Sequence, residues 1–125
     1  MGQKSIVRMA AWFEIVVGVI LIIVPDVPSL LLFASKPEAA DEPFARWAGI
    51  ALVALGIACL PSGTSPHRSV VLGLFAFNAG IVILLLWVGI ATTLHGFLLW
   101  PAAILHVVIA ASLLPQLLTT ASAHS

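Results

Sequence analysis

The sequence contains very few charged residues. Its 125 residues include five basic and five acidic side chains, so 8% are charged and 62% are hydrophobic. A soluble domain carries roughly a quarter charged residues. The composition therefore excludes an ordinary soluble domain and favours the lipid bilayer as the surrounding solvent. The formal net charge of zero gives no sign of a nucleic-acid partner or of an acidic substrate.

The residues typical of redox and catalytic motifs are also scarce. Cys59 is the only cysteine, which excludes a disulfide within the chain and a two-cysteine redox relay. No apolar segment places a nucleophile beside a base, and no loop has a phosphate-binding glycine motif. Glu14 and His106 alone are too few ligands for a structural zinc ion. The sequence thus disfavours an enzyme and predicts neither catalytic residues nor a metal site.

The sequence does contain four long apolar segments, at about residues 6–24, 44–60, 69–90 and 97–114. Roughly 20 apolar residues are needed to span the 30 Å hydrocarbon layer. We interpret the first segment as a retained span, not a cleaved signal peptide, because Glu14 interrupts it and Pro25 and Asp26 follow it. We predict an all-α fold in which residues 1–125 form one integral membrane domain. Its short connections favour a four-helix transmembrane bundle with up-down-up-down connectivity.

The connections between the spans are rich in proline. Residues 29–34 are apolar but too short to span, so a short interfacial helix started by Pro28 and Ser29 is predicted after the first span. Asp41 and Pro43 suit the start of the second span. Pro115 is predicted to end the fourth span and to leave residues 116–125 as a polar tail.

Basic residues predict the orientation in the membrane. Lys4, Arg8 and Arg68 fall on one predicted side, whereas Lys36 falls on the other with Arg46 just inside that edge. Because the positive side of a membrane protein is usually cytoplasmic, we expect both termini in the cytoplasm and the protein in a cell inner membrane.

Each predicted span carries one conspicuous polar residue: Glu14, Arg46, Asn78 and His106. At 1.5 Å per residue, Glu14, Asn78 and His106 all lie about 12–14 Å from a membrane edge. An ionised side chain at this depth costs about 2.5–3.5 kcal/mol on insertion scales. We therefore predict a buried polar cluster of Glu14, Asn78 and His106 inside the bundle, which Arg46 joins only if its long side chain reaches down from the membrane edge.

Small residues accompany these polar side chains. Ala10 and Gly18 share a helix face with Glu14, and Gly49 and Gly56 share one with Arg46. Small residues allow helices to approach closely in membranes. These polar groups are therefore expected on helix-contact faces, not on lipid-facing surfaces.

Each polar residue also has a purely structural interpretation. Glu14 could carry a proton and form a hydrogen bond, or it could serve a ligand, a partner or proton transfer. Arg46 is expected to be an interfacial anchor, with pairing to Glu14 or Asp26 as the alternative. Asn78 is expected to join helices by a hydrogen bond, with a ligand-binding or proton-relay role as the alternative, and His106 is equally open to a structural or a functional role.

The order of these residues resembles the DoxX-like group of small four-span bacterial membrane proteins. The matching positions are Glu14 and Gly18 in the first span, Arg46, Gly49 and Gly56 in the second, Asn78 in the third, and Trp100, Pro101 and His106 in the fourth. The resemblance covers nearly the whole chain. It implies the four-span fold, and for some members a link to quinone or thiol redox chemistry. The chain departs from thiol chemistry because it lacks paired cysteines.

Three functions fit the sequence. The favoured one is a binding or accessory subunit that holds a small amphipathic ligand, or docks onto a larger membrane complex, around Glu14 and His106. The second is a proton-coupled small-molecule carrier that uses Glu14 and His106, for which a homodimer would be expected. The third is a redox subunit in which His106 contacts a quinone or ligates haem. The cofactor, if there is one, is not specified by the sequence.

Overall fold

The chain folds into five helices, and the computed structural model describes residues 3–60 and 67–122. The helices are α1 (Gln3–Ile23), α2 (Asp26–Phe33), α3 (Glu42–Cys59), α4 (Arg68–Ala91) and α5 (Leu99–Ser122). The described part of the chain contains no β-strand. Four of the helices, all except α2, are long and apolar enough to cross a membrane. The prediction of four long apolar helices is confirmed, and they indicate a multi-pass membrane protein.

The helices pack as two pairs, α1 with α3 and α4 with α5. Glycine sets the distance within the first pair. A Cβ atom built on Gly49 would lie 2.6 Å from the Gly18 carbonyl oxygen, and one on Gly56 would lie 2.6 Å from the Ala11 carbonyl oxygen. These two contacts show that α1 and α3 run in opposite directions. The small residues on the predicted contact faces therefore do lie where the two helices meet.

One cluster of buried apolar residues, the core cluster, lies at one end of the bundle. It contains Val7, Ala10, Ala11, Cys59, Val71, Leu74 and Leu113, contributed by all four long helices. Outside this cluster most large apolar side chains are exposed; Trp47 and Ile83, for example, are 70% and 69% exposed. Such a surface suits surrounding acyl chains, which are as apolar as leucine.

The last helix differs from its predicted bounds. Pro115 lies inside α5, which continues to Ser122, so the prediction that Pro115 ends the span is wrong. Proline removes one backbone hydrogen bond of a helix. Apolar packing continues past it, because Leu113 is fully buried and Leu117 packs against the core cluster. The contacts on both sides of the proline offset the missing bond.

The short helix α2 is present but begins at Asp26, two residues before Pro28, which with Ser29 was predicted to start it. The Ser29 hydroxyl donates to the Pro25 carbonyl oxygen at 2.9 Å and reinforces its first turn. The helix ends at Ala34, which has φ 53° and whose N–H donates to the Leu30 carbonyl oxygen.

Two further hydrogen bonds attach α2 to the connection between α4 and α5. The N–H of Gly96 donates to the Leu32 carbonyl oxygen at 2.9 Å, and the N–H of Leu98 donates to the Leu31 carbonyl oxygen at 2.7 Å. Carbonyl groups in the last turn of a helix have no partner within that helix. The connection therefore satisfies two such groups and holds α2 beside the start of α5. The approach is so close that a Cβ atom on Gly96 would overlap the Leu31 carbonyl.

Asp41 lies at the N-cap position of α3, as expected, and Pro43 lies in its first turn. The Asp41 side chain, however, forms no capping hydrogen bond.

Candidate functional site

Asn78 and His106 form a buried hydrogen-bonded pair that joins α4 to α5. The Asn78 Oδ1 and His106 Nδ1 atoms are 2.7 Å apart. Asn78 is fully buried, and His106 is 8% exposed. The hydrogen bond between helices that was predicted for Asn78 is present, and His106 is its partner.

The hydrogen bonds of Asn78 decide which nitrogen of His106 carries the proton. The Asn78 Nδ2 atom donates to the Leu74 carbonyl oxygen at 2.8 Å. Turning the amide over would place two acceptor oxygens, Asn78 Oδ1 and the Leu74 carbonyl, against each other. Oδ1 therefore faces the imidazole, and because it can only accept, Nδ1 must donate. In the neutral ring the remaining nitrogen, Nε2, then carries a lone pair and no proton.

Aromatic rings surround the His106 imidazole. Phe13 of α1 and Phe77 of α4 make edge-to-face contacts with it, at centroid distances of 5.8 and 6.4 Å. Phe13 thereby connects the α1–α3 pair to the α4–α5 pair. These apolar neighbours fix the ring plane. No sequence pattern had singled out Phe13 or Phe77 as part of the site.

Glu14 is buried as predicted but is separate from the Asn78–His106 pair. It is 1% exposed, and its Oε1 atom has no hydrogen-bond partner among the described residues. Three of the predicted residues therefore face the interior, but only Asn78 and His106 are joined to each other.

Arg46 does not belong to this interior cluster. Its guanidinium binds the Glu42 carboxylate one turn earlier, with Nη2 and Oε1 2.6 Å apart, and also donates to the Ile22 carbonyl oxygen. Pairing of Arg46 with Glu14 or Asp26 was a wrong prediction; Asp26 instead lies 3.7 Å from Lys36. The physical reason is local, because Glu42 is four residues away on the same helix and needs no burial to reach Arg46. Arg46 ties the start of α3 to the end of α1.

An apolar cavity of about 340 Å³ adjoins the His106 ring. Its walls come from α1, α2 and the start of α5 with the residue before it: Phe13, Val17 and Ile20; Val27, Pro28, Leu31 and Leu32; Leu98, Pro101, Ala102, Leu105 and His106. His106 is the one titratable side chain among them. Two other cavities, of about 470 and 510 Å³, are lined by none of the four predicted site residues.

The helix α2 supplies four residues of this cavity. Sequence reasoning missed that role, since a surface helix was expected to lie flat on the membrane. A signal was present in Pro25 and Pro28, which break the chain directly after the first span and start a helix too short to cross.

Comparison with known proteins gives no match, whether with family models, curated proteins or solved structures. No group of three or more His, Cys, Asp or Glu residues that could hold a metal ion occurs in residues 3–60 and 67–122.

Proposed function

We propose that this protein is a small multi-pass membrane binding protein that holds one small amphipathic ligand in the cavity beside His106. One observation carries the proposal: an apolar cavity that ends at a single polar ring. Ligand sites are usually apolar, with a few polar groups that fix the orientation of the ligand. The volume of about 340 Å³ lies near the lower limit of the range of about 300–1,000 Å³ for such sites.

The arrangement of the walls supports a ligand in preference to a bulk lipid. A lipid-facing groove between two straight helices needs no third wall. Here α2 folds back after the first span, and the Gly96 and Leu98 hydrogen bonds hold it in place. A fixed third wall limits the size of the molecule that the cavity accepts.

The experiment fills the cavity with a larger side chain and identifies which bound small molecule the variant no longer retains. Wild-type protein and the Ala102→Phe variant are purified in mild detergent, and the small molecules they retain are identified by mass spectrometry. We expect one amphipathic species to be retained by the wild type and depleted in the variant. Identical profiles dominated by bulk phospholipid would refute the proposal. Protection of the buried Cys59 from maleimide serves as the control for correct folding.

We further propose that the four spans alternate in direction through a bacterial inner membrane. Both termini would be cytoplasmic and α2 would lie at the opposite surface. The excess of Lys4, Arg8 and Arg68 near one end supports this orientation. In a Cys59→Ala background, an impermeant maleimide should label Lys36→Cys in intact cells and Ser125→Cys only after lysis. The reverse pattern would refute it.

The relation to the DoxX-like group stays a proposal that the residue pattern supports. The carrier alternative requires proton transfer between Glu14 and His106, and no hydrogen bond joins them within the described residues. In the redox alternative His106 would supply one axial ligand to haem, which an absorbance scan of purified protein tests. The accessory-subunit alternative predicts a protein partner that co-purifies in the same mild detergent.

A further inference from the structure

At the polar end of the cavity, one nitrogen of the His106 ring is already hydrogen-bonded and the other has no partner among the described residues. His106 lines the cavity with its Nδ1 already bound to Asn78 Oδ1 at 2.7 Å. Its Nε2 makes no hydrogen bond to any residue in the described ranges, and the other side chains that line the cavity are apolar. Nε2 is therefore the group left to meet the polar end of a ligand.

We infer that the cavity selects an apolar molecule carrying a hydroxyl group, which donates its hydrogen to His106 Nε2, and that Asn78 is the positioning residue that sets this preference. The inference rests on the proposed ligand-binding function. Asn78 Oδ1 accepts from Nδ1, so the neutral ring offers a lone pair at Nε2. A phenol or an aliphatic alcohol can donate to that lone pair, whereas an ether or a ketone of the same size cannot.

Both polar atoms of the Asn78 amide are needed to set this preference. Nδ2 is held by the Leu74 carbonyl oxygen at 2.8 Å, which prevents the amide from turning over. A reversed amide would present a donor to Nδ1, move the ring proton to Nε2 and make the cavity select acceptors. The hydrogen bond from Asn78 Nδ2 to the Leu74 carbonyl oxygen, within α4, thus determines that His106 Nε2, on α5, accepts a hydrogen bond from a ligand.

The test uses 4-octylphenol and 4-octylanisole, which differ only in the hydroxyl hydrogen and a methyl group. Equimolar probes compete for the full-length protein in detergent, and native mass spectrometry counts each bound species. A net hydrogen bond predicts that the phenol is preferred by about 3- to 10-fold. The Ala102→Phe variant provides the blank for nonspecific uptake.

Asn78→Leu should reduce this preference to about one while binding persists, because the ring proton is then free to occupy either nitrogen. A merely structural role for Asn78 would weaken both probes equally and leave their ratio unchanged, which would overturn the inference. Equal binding of the two probes to wild-type protein would also overturn it, although the proposed function would stand. Binding of neither probe above the Ala102→Phe blank would count against both.

A second measurement does not depend on a variant of Asn78. In ¹⁵N-histidine-labelled wild-type protein, with the His106 signals assigned by their loss in His106→Phe, the ring proton should be on Nδ1. A proton on Nε2 would refute the inference even if Asn78→Leu fails to fold.

Discussion

Removal of the Asn78–His106 hydrogen bond should lower the free energy of unfolding, and the effects of substituting the two residues should not be additive. Asn78→Leu leaves the His106 ring without its partner, and His106→Leu leaves Asn78 Oδ1 without a donor. Hydrogen bonds between membrane helices contribute about 0.6 kcal/mol on average and about 1.7 kcal/mol at most. The distance from Asn78 Oδ1 to His106 Nδ1 is 2.7 Å, and both side chains are buried beside aromatic rings. We therefore expect a coupling free energy in the upper part of this range, about 1–1.7 kcal/mol.

The assay is a double-mutant cycle in mixed micelles of increasing SDS content. Cys59 is 4% exposed and is the only cysteine, so its maleimide labelling reports unfolding directly. The loss of unfolding free energy in the double variant should be smaller than the summed losses of the two single variants by about 1–1.7 kcal/mol. This difference corresponds to a factor of about 5–18 in the unfolding equilibrium constant. A control cycle pairs Asn78→Leu with Ser112→Ala, because the Ser112 hydroxyl donates to the Val108 carbonyl oxygen within its own helix, α5. Additivity within about 0.3 kcal/mol for Asn78 and His106, as expected for the control, would refute the reasoning.

Three further predictions concern other parts of the bundle. Gly49→Ala should destabilise the α1–α3 pair by about 1–3 kcal/mol, because its Cβ would lie 2.6 Å from the Gly18 carbonyl oxygen; Gly80→Ala, with nothing within 4 Å, is the matched control in the SDS titration. Glu14 is buried without a hydrogen-bond partner for Oε1 among the described residues and should carry its proton at neutral pH. A hydrophobic carbodiimide should therefore modify wild-type protein at Glu14 but leave Glu14→Gln unmodified, and lack of reaction in folded wild type would contradict this. Gly96→Ala should detach α2 from the α4–α5 connection and lower retention of the cavity ligand, whereas unchanged retention would show that α2 is not a required wall.

The sequence was sufficient to predict the four long apolar helices and the burial of Glu14, Asn78 and His106. Length and composition predicted the four long apolar helices, since a hydrophobic segment of about 20 residues satisfies its backbone hydrogen bonds in lipid when it forms a helix. The spacing of Gly18, Gly49 and Gly56 predicted close helix contact, and the structure confirms it. Burial of Asn78 and His106 followed from the cost of exposing them to acyl chains.

Pairing between the helices was harder to predict. The alternative in which Arg46 pairs with Glu14 or Asp26 is wrong because Glu42, on the preceding turn of α3, already binds its guanidinium. Depth alone placed Glu14, Asn78 and His106 in one layer, yet depth contains no information on rotation about each helix axis. The cavity was missed because it depends on how α2 folds back against α1 and α5, which is a tertiary property.

The uneven distribution of the core has a mechanical consequence. Seven buried side chains pack the four long helices together in the half of the bundle that contains Cys59 and Leu113. The half around Leu31 and Ala102 contains the cavity beside His106. The half that contains the cavity is itself held by the buried residues Leu85, Val88 and Leu99 and by the two hydrogen bonds from Gly96 and Leu98 to α2. A ligand could therefore enter by movement of α2 alone, without separation of the core cluster at the other half.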